Sequence, residues 1–442
     1  VIDWSAGFRN GAGDTAANPL VIAGPVPGVD LSSVGLLLAP PVLSGEFVPV
    51  SFWEGVERLS PQPVTPKSSP LGLHAAFSAA VREMTAQARG IGVMVSGGLD
   101  SLAVLLHACA VAEGRRVVAF TIDISDDVGG GAVAEVKRLL DAFDLDVELV
   151  VLDPRRDRRE PEWSPVGPRL DGLPEVHAAA AVRAEHLGLD IILSGDGSDE
   201  LLGTPRYATT AIARRHGLQG ARQYLRDVAG TGPGLFGETA AVGSRLVSRR
   251  LRALGYWAEN WPEWCDPVAP SILAEPYRAQ ATEWSRQWVA DEVSAHAAKG
   301  WSWAEADAYD ALFPYTLPPP VGRVPEESPF LHRSFLEAAL AVPLADRYGP
   351  GLPSKYWRGK ALVLDLLPPG ATAKLSPRKQ YYSGALAGQA ALLDKDQPLL
   401  LSEVGLVDRE RLAQERDTGT LIYLAGIERW LKGAQRHGAT FG

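Results

Sequence analysis

The sequence predicts an α/β fold: a parallel sheet of the five-stranded type with helices on both faces, a helical C-terminal half, and a small degenerate N-terminal segment. Three observations predict it. Short apolar runs alternate with helical patterns between residues 70 and 193, at a spacing that implies right-handed βαβ crossovers. Two of those runs end in glycine-containing corners, Val93–Ser101 and Ile191–Leu202. Beyond Arg206 the pattern is helical to the end, with Gly/Pro interruptions near 230–236 and 315–325.

A chain of 442 residues, 46% of them hydrophobic, is long enough for one large core or two. Its formal charge of −10 argues against a nucleic-acid partner, because phosphate backbones are bound by clustered Lys and Arg. Cys109 and Cys265 are too few for a disulfide framework or a metal cluster and read as packing residues. No apolar run reaches the length of a membrane span, and no basic start followed by an apolar stretch marks the N-terminus. The expected location is cytoplasmic, with no membrane partner.

Residues 1–69 are rich in Pro and Gly, with short apolar runs at Val34–Leu38 and Phe47–Val50. They read as irregular structure with one or two strands capping the main domain, residues 70–442. From Pro70 to Arg89, Leu73, Phe77, Val81 and Met84 recur at helical spacing, with His74 at the edge as a surface histidine. The run Val93–Val95 is a buried strand, and the Ala/Leu-rich stretch from Leu102 to Ala112 is the helix after it. Arg116–Asp123 is a second strand. Gly129–Gly131 opens a helix through Val133, Val136, Leu139, Leu140 and Phe143, and Val147–Leu152 is a third strand. Asp153–Pro174, crowded with charge and proline, reads as a solvated loop. A helix from Glu175 to Leu187 then leads into the strand Ile191–Leu193.

The chemistry concentrates where these strands end, as ligand sites do in open parallel sheets. In Ser96-Gly97-Gly98-Leu99-Asp100-Ser101 two glycines let an anion approach the backbone, Ser96 and Ser101 add hydroxyls, and the following helix points its free N–H groups at the same spot. A carboxylate beside a polyphosphate repels it unless a divalent cation intervenes, so Asp100 reads as a magnesium ligand. A helix-capping role is the alternative.

Ser-Gly-Gly-Leu-Asp-Ser resembles the pyrophosphate loop of the ATP pyrophosphatase superfamily. The second corner, Ser194-Gly195-Asp196-Gly197-Ser198-Asp199-Glu200, resembles the second signature of the asparagine synthetase class, which includes β-lactam synthetases and lasso-peptide macrolactam cyclases. The resemblance implies an adenine nucleotide α-hydrolase-like fold and an ATP- and Mg2+-dependent, AMP-forming ligase joining a carboxylate to an amine. It implies metal ligands at Asp100 and Asp199, nucleotide contacts at Ser96, Gly97, Gly98, Asp100, Ser101 and Gly195, and a base or ribose contact at Thr121 and Asp123.

Asp196 stands where asparagine synthetases carry Glu and β-lactam synthetases carry Tyr. It is placed to take a proton from the attacking amine or to orient the substrate. The partner acid is expected in Arg323–Leu331, similar to the family's Glu-x-x-x-Pro-Phe-Leu-Asp stretch. Pro325 falls at the glutamate and His332 at the aspartate, leaving Glu326 or Glu327 as substitutes or as residues of a surface loop. Ser376–Gly384 resembles the loop carrying the class's essential lysine. Lys379 is the candidate, with Lys374 and Arg378 as alternatives.

Val34–Leu59 resembles the tail of a glutaminase domain, but no cysteine precedes Cys109 in the numbered sequence to serve as its nucleophile. The expected substrate is therefore a small-molecule or peptide carboxylate with its own amine. Lactam formation and peptide macrolactam cyclisation fit, the latter implying a precursor peptide and a leader-removing protease as partners. Amidotransfer with ammonia and a non-catalytic nucleotide-binding scaffold are the competing readings.

Overall fold

A computed structural model describes residues 7–45, 50–59, 64–230, 234–312, 323–390 and 393–441. Its central sheet is parallel throughout. Strands β1 (Gly90–Met94), β2 (Arg116–Ile122), β3 (Glu148–Leu152), β4 (Ile191–Leu193) and β5 (Glu326–Glu327) lie in the order β3-β2-β1-β4-β5. The chain moves outward from β1 to β3 and then returns to the other side of β1, so the order reverses between β1 and β4. A crevice opens at such a point, at the carboxyl ends of the strands. The register Ile91↔Ile191 and Val93↔Leu193 brings both glycine corners out side by side there.

The period of two along each strand divides the sheet residues between two cores. Ile91, Val93, Val117, Ala119, Ile191 and Leu193 face one side, with Phe77 and Val81 of α1 (Gly72–Met84), Leu102 and Leu105 of α2 (Leu99–Val111), and Val136 and Leu139 of α3 (Ala132–Ala142). Val118, Phe120 and Ile192 face the other, with Val176, Ala180 and Ala184 of α4 (Pro174–His186). Phe77, fully buried, meets the rings of Phe330 and Phe335, and burial of such a side chain contributes about 1.5–3 kcal/mol. His74 is exposed, as its place on α1 predicts.

A third core, built on Tyr224, Tyr256, Trp257, Trp264 and Trp303, fills the helical part after α5 (Ser198–Leu202). The Gly/Pro interruptions expected near 230–236 and 315–325 lie in part outside the described residues. Among the described residues no helix is long and apolar enough to cross a membrane.

Several expectations need correction. Val34–Leu38 is helical, in Leu31–Gly35 and the turn Leu36–Leu38, because Asp30 caps the backbone N–H groups of Ser32 and Ser33. Among the described residues the strands of this segment are instead Phe8–Asn10, Thr15–Ala16 and Val56–Arg58, with Gly28–Val29 paired to Thr440–Phe441. Of the run Phe47–Val50 only Val50 lies within the described residues.

These residues pack on the helix Thr418–Arg436 in a fourth core containing Val29, Leu38, Trp53, Leu424, Ile427 and Trp430. Asp153–Pro174 is only half a solvated loop. Its arginines 155 and 156 are exposed, but the Trp163 indole donates to the carbonyl of Trp430, and that of Trp430 to Ser164. An indole buries more apolar area than the polar residues around it can keep in water. Cys109 is half-buried against the first core, whereas Cys265 is exposed, which corrects its reading as a packing residue.

Candidate active site

Helix α2 begins at Leu99, three residues earlier than its apolar pattern suggests, so Asp100 lies in its first turn. Gly97 adopts φ +83, and a Cβ there would press on Gln380 and Glu135 at 3.0 Å. A Cβ on Gly195 would meet the backbone N–H of Ser101 at 3.0 Å. The two corners therefore touch, and a side chain at either position would have to displace its neighbours. Ser96 is exposed at the mouth. Ser101 is buried and turned inward: its hydroxyl accepts from the backbone N–H of Ser96 at 3.1 Å and donates to the Gly98 carbonyl at 3.3 Å. It braces the loop, correcting its expected place as a ligand-facing hydroxyl.

Asp100 and Asp199 converge, as the two motifs imply. The cation between them is one that sequence reasoning missed. Lys360 Nζ lies 2.6 Å from Asp100 Oδ1 and 2.6 Å from Asp199 Oδ1. Ser198 donates to the same Asp100 oxygen at 2.5 Å. Lys360 is 4% exposed. Ser354 caps the short helix Lys355–Gly359 that leads to it, and Arg358 two residues earlier makes a bidentate pair with Asp227, 2.6 Å at each arm, with Tyr348 donating to the same carboxylate. The signal was present in the sequence as one lysine heading the apolar run Ala361–Leu364, where its stem must be buried.

Lys379 Nζ lies 3.1 Å from Asp199 Oδ2. The alternatives go elsewhere: Lys374 lies over the Phe143 ring and Arg378 pairs with Asp126. Burial alone raises the Asp199 carboxyl, but the charges of Lys360 and Lys379 outweigh it and hold Asp199 below its ordinary value. Lys379 is raised in turn, since Asp199 outweighs the desolvation that lowers it.

On the other side of the second corner stands Asp196, accepting from the Ser194 hydroxyl at 2.8 Å. The residue is open to solvent, yet desolvation by the atoms packed around it, and then the charge of Glu326, raises its carboxyl above the usual range. Glu326 and Glu327 form not a loop but the edge strand β5. The pairs Ile192↔Glu326 and Leu193↔Glu327 and the bond from Ser194 N–H to the Glu327 carbonyl fix it to β4. Alternation sends the two side chains to opposite faces.

Glu326 takes the face of α4, where His177 Nδ1 lies 2.8 Å from its carboxylate. Burial opposes charge on both, but their attraction prevails, lowering Glu326 and raising His177 to about 9. Arg169 and Asp171 form a second closed pair beside them, at 2.9 Å. His177 was not anticipated, because nothing in an Ala-rich helix marks one position as facing an edge strand.

Asp123 is exposed at the end of β2, whereas the Thr121 hydroxyl is fully enclosed, without a hydrogen-bond partner and closed to the cleft. The glycine cradle and the N-terminus of α2 fit a nucleotide's phosphates. The two carboxylates fit Mg2+, which takes one or two protein carboxylates and fills its remaining positions with phosphate oxygens and water. Among the described residues no three His, Cys, Asp or Glu side chains form a metal cage of their own.

Comparison with curated proteins gives no match. Residues 72–312 match the family model described as asparagine synthase, and this stretch is just over half of the chain and contains both corners, β1 to β4 and α1 to α5. Both glycine corners, with an aspartate from each on one cation, thus lie within the matched stretch, and the chain belongs to the ATP-utilising, carbon–nitrogen bond-forming asparagine synthase family.

Proposed function

We propose that the protein activates a substrate carboxylate with ATP, releasing pyrophosphate, and then joins it to an amine with release of AMP. The observation that carries this reading is the convergence of Asp100 and Asp199 on one cation, closed from the far side by Lys379. A carboxylate does not acylate an amine at neutral pH, because the amine takes its proton and oxide is a poor leaving group. In the first step a carboxyl oxygen attacks the α-phosphorus and the bond to the β-phosphate oxygen breaks. In the second the amine nitrogen attacks the carbonyl carbon, and AMP leaves with the electron pair of the C–O bond.

Asp100 and Asp199 would hold Mg2+, which neutralises charge on the departing pyrophosphate. The backbone of Ser96, Gly97 and Gly98 and the start of α2 bind the phosphates, with Asp100, Ser101 and Gly195 shaping the cradle and Asp123 at the nucleoside end. Lys379 stabilises charge on the transferring phosphoryl group and on the oxyanion of amide formation. Asp196 takes the amine proton. Its two neighbouring charge pairs are closed on themselves, whereas Asp196 pairs with no cation among the described residues, and its raised proton affinity suits a base. Glu326 then acts behind it, held by His177, and Glu327 faces away from that pair.

We read the nucleophile as an amine of the substrate itself, as in lactam formation or macrolactam cyclisation of a peptide, in natural-product biosynthesis. For a peptide, the precursor and its leader-removing protease are the partners. Val34–Leu59 resembles the tail of a glutaminase domain, and its described residues cap the helix Thr418–Arg436. The test is pyrophosphate release from ATP and Mg2+ with candidate amino-carboxylates, and mass spectrometry of the products. AMP and a product lighter than its substrate by one water support the reading. Turnover only when ammonia is supplied favours amidotransfer, and ATP binding without pyrophosphate release from any candidate favours a scaffold.

A further inference from the structure

The loop that carries Lys379 is fastened to the corner beside it. Asp126, in the turn after β2, has a side chain only 1% exposed, and its carboxylate is fully used. One oxygen accepts from the backbone N–H groups of Val128 and Gly130, at 3.1 and 2.5 Å, and the other from Arg378 at 2.8 Å. The Asp127 N–H donates to the carbonyl of Tyr381 at 2.8 Å, and the Tyr382 hydroxyl to the carbonyl of Ser96 at 3.1 Å. Lys379 thus lies between two fastened residues, Arg378 before it and Tyr381 after it. A lysine is a point charge on a four-carbon stem, and its value at a reacting phosphate depends on how narrowly its backbone confines that charge.

We propose that Asp126 is a positioning residue for Lys379, acting through Arg378 to hold the 376–382 loop over the phosphate corner. This rests on the reading of Lys379 as a pyrophosphate contact. Burial opposes ionisation of Asp126, but the Gly130 N–H and Arg378 more than compensate and hold it charged. The tie joins the turn after β2 to a loop far along the chain.

Isothermal titration of the full chain with magnesium pyrophosphate tests this without knowledge of the acyl substrate. Lys379→Ala is expected to weaken binding by about 30-fold and Asp126→Asn by about 10-fold, with the double variant no weaker than Lys379→Ala alone, as for residues acting through one interaction. Arg378→Met should reproduce Asp126→Asn, and Arg378→Lys should recover most of the loss while leaving the melting temperature unchanged. Three results overturn the proposal: unchanged affinity in Asp126→Asn, losses that multiply in the double variant, or tighter binding in Asp126→Asn, which would make a freed Arg378 the phosphate contact. If Lys379→Ala itself binds as wild type does, the reading of Lys379 fails first, and the positioning role with it.

Discussion

Asp100 and Asp199 share a single ammonium, that of Lys360, at 2.6 Å from each. The same two carboxylates are the residues that would hold Mg2+. Two carboxylates brought together without a cation would repel, and one of them would take up a proton. Lys360, with Lys379, holds the Asp199 carboxyl below its ordinary value, and the buried Lys360 stem fixes the spacing of the two aspartates.

Replacing Lys360 by Met keeps the stem and removes the charge. Pyrophosphate release is expected to fall at least about 100-fold, the scale of losing a charge-stabilising group. The same variant should gain more thermal stability from Mg2+ in place of EDTA than the wild type does, because its carboxylates have lost their internal cation. Equal metal-induced shifts in the two proteins, read by calorimetry, would show that Lys360 does not hold the pair.

Asp100→Ala and Asp199→Ala should each abolish pyrophosphate release, and Asp199→Ala should shift the melting temperature little. Asp199 is 48% exposed at its side chain and contributes little packing. Residual turnover above about 1% of wild type in either variant, at saturating ATP and Mg2+, would sink the metal assignment.

The pair His177–Glu326 gives stability a pH window. His177 rises from 6.5 to about 9 on folding, so its contribution is complete below 6.5 and lost as pH climbs through 9. Glu326 is lowered from 4.5, so its contribution is present above 4.5 and lost as pH falls through its depressed value. Urea unfolding of wild type against His177→Leu should show a difference of about 2 kcal/mol between pH 5 and 6.5, shrinking toward pH 9. A difference constant from pH 5 to 9.5 contradicts the pairing.

Asp227 and Arg358, each 11% exposed at the side chain, form a bidentate pair two residues before Lys360. Asp227→Ala leaves the guanidinium enclosed without its partner, which typically costs about 3–5 kcal/mol. Turnover of the folded fraction should fall as well, since the turn holding Lys360 loosens. Chemical denaturation and active-site titration read the two effects separately.

What could be read in advance divides along physical lines. Strands β1 to β4 and helices α1 to α4 were legible because each carries its own apolar period, and both corners because glycine after an apolar strand has few other uses. Strand β5 was not: it is two acidic residues whose pairing is imposed by the free edge of β4, with no alternation of their own. Lys360 was overlooked because its partners come from distant positions: the apolar run after it announces a buried stem, but not which carboxylates meet the ammonium. Residues 161–170 looked solvated by composition, and only Trp163 hinted otherwise.

That last segment reaches further than its place in the chain suggests. A Cβ on Gly433 would strike the Trp163 ring at 2.0 Å, and one on Gly426 the carbonyl of Arg169 at 2.5 Å. The two glycines, seven apart, cut a notch along one side of the helix Thr418–Arg436, and the segment that ends at the Arg169–Asp171 pair is seated in it. A selection for inactive mutants should therefore return alanine at these two distant glycines, with second-site revertants of the Gly433 mutants that shrink Trp163 rather than alter any residue of the cleft.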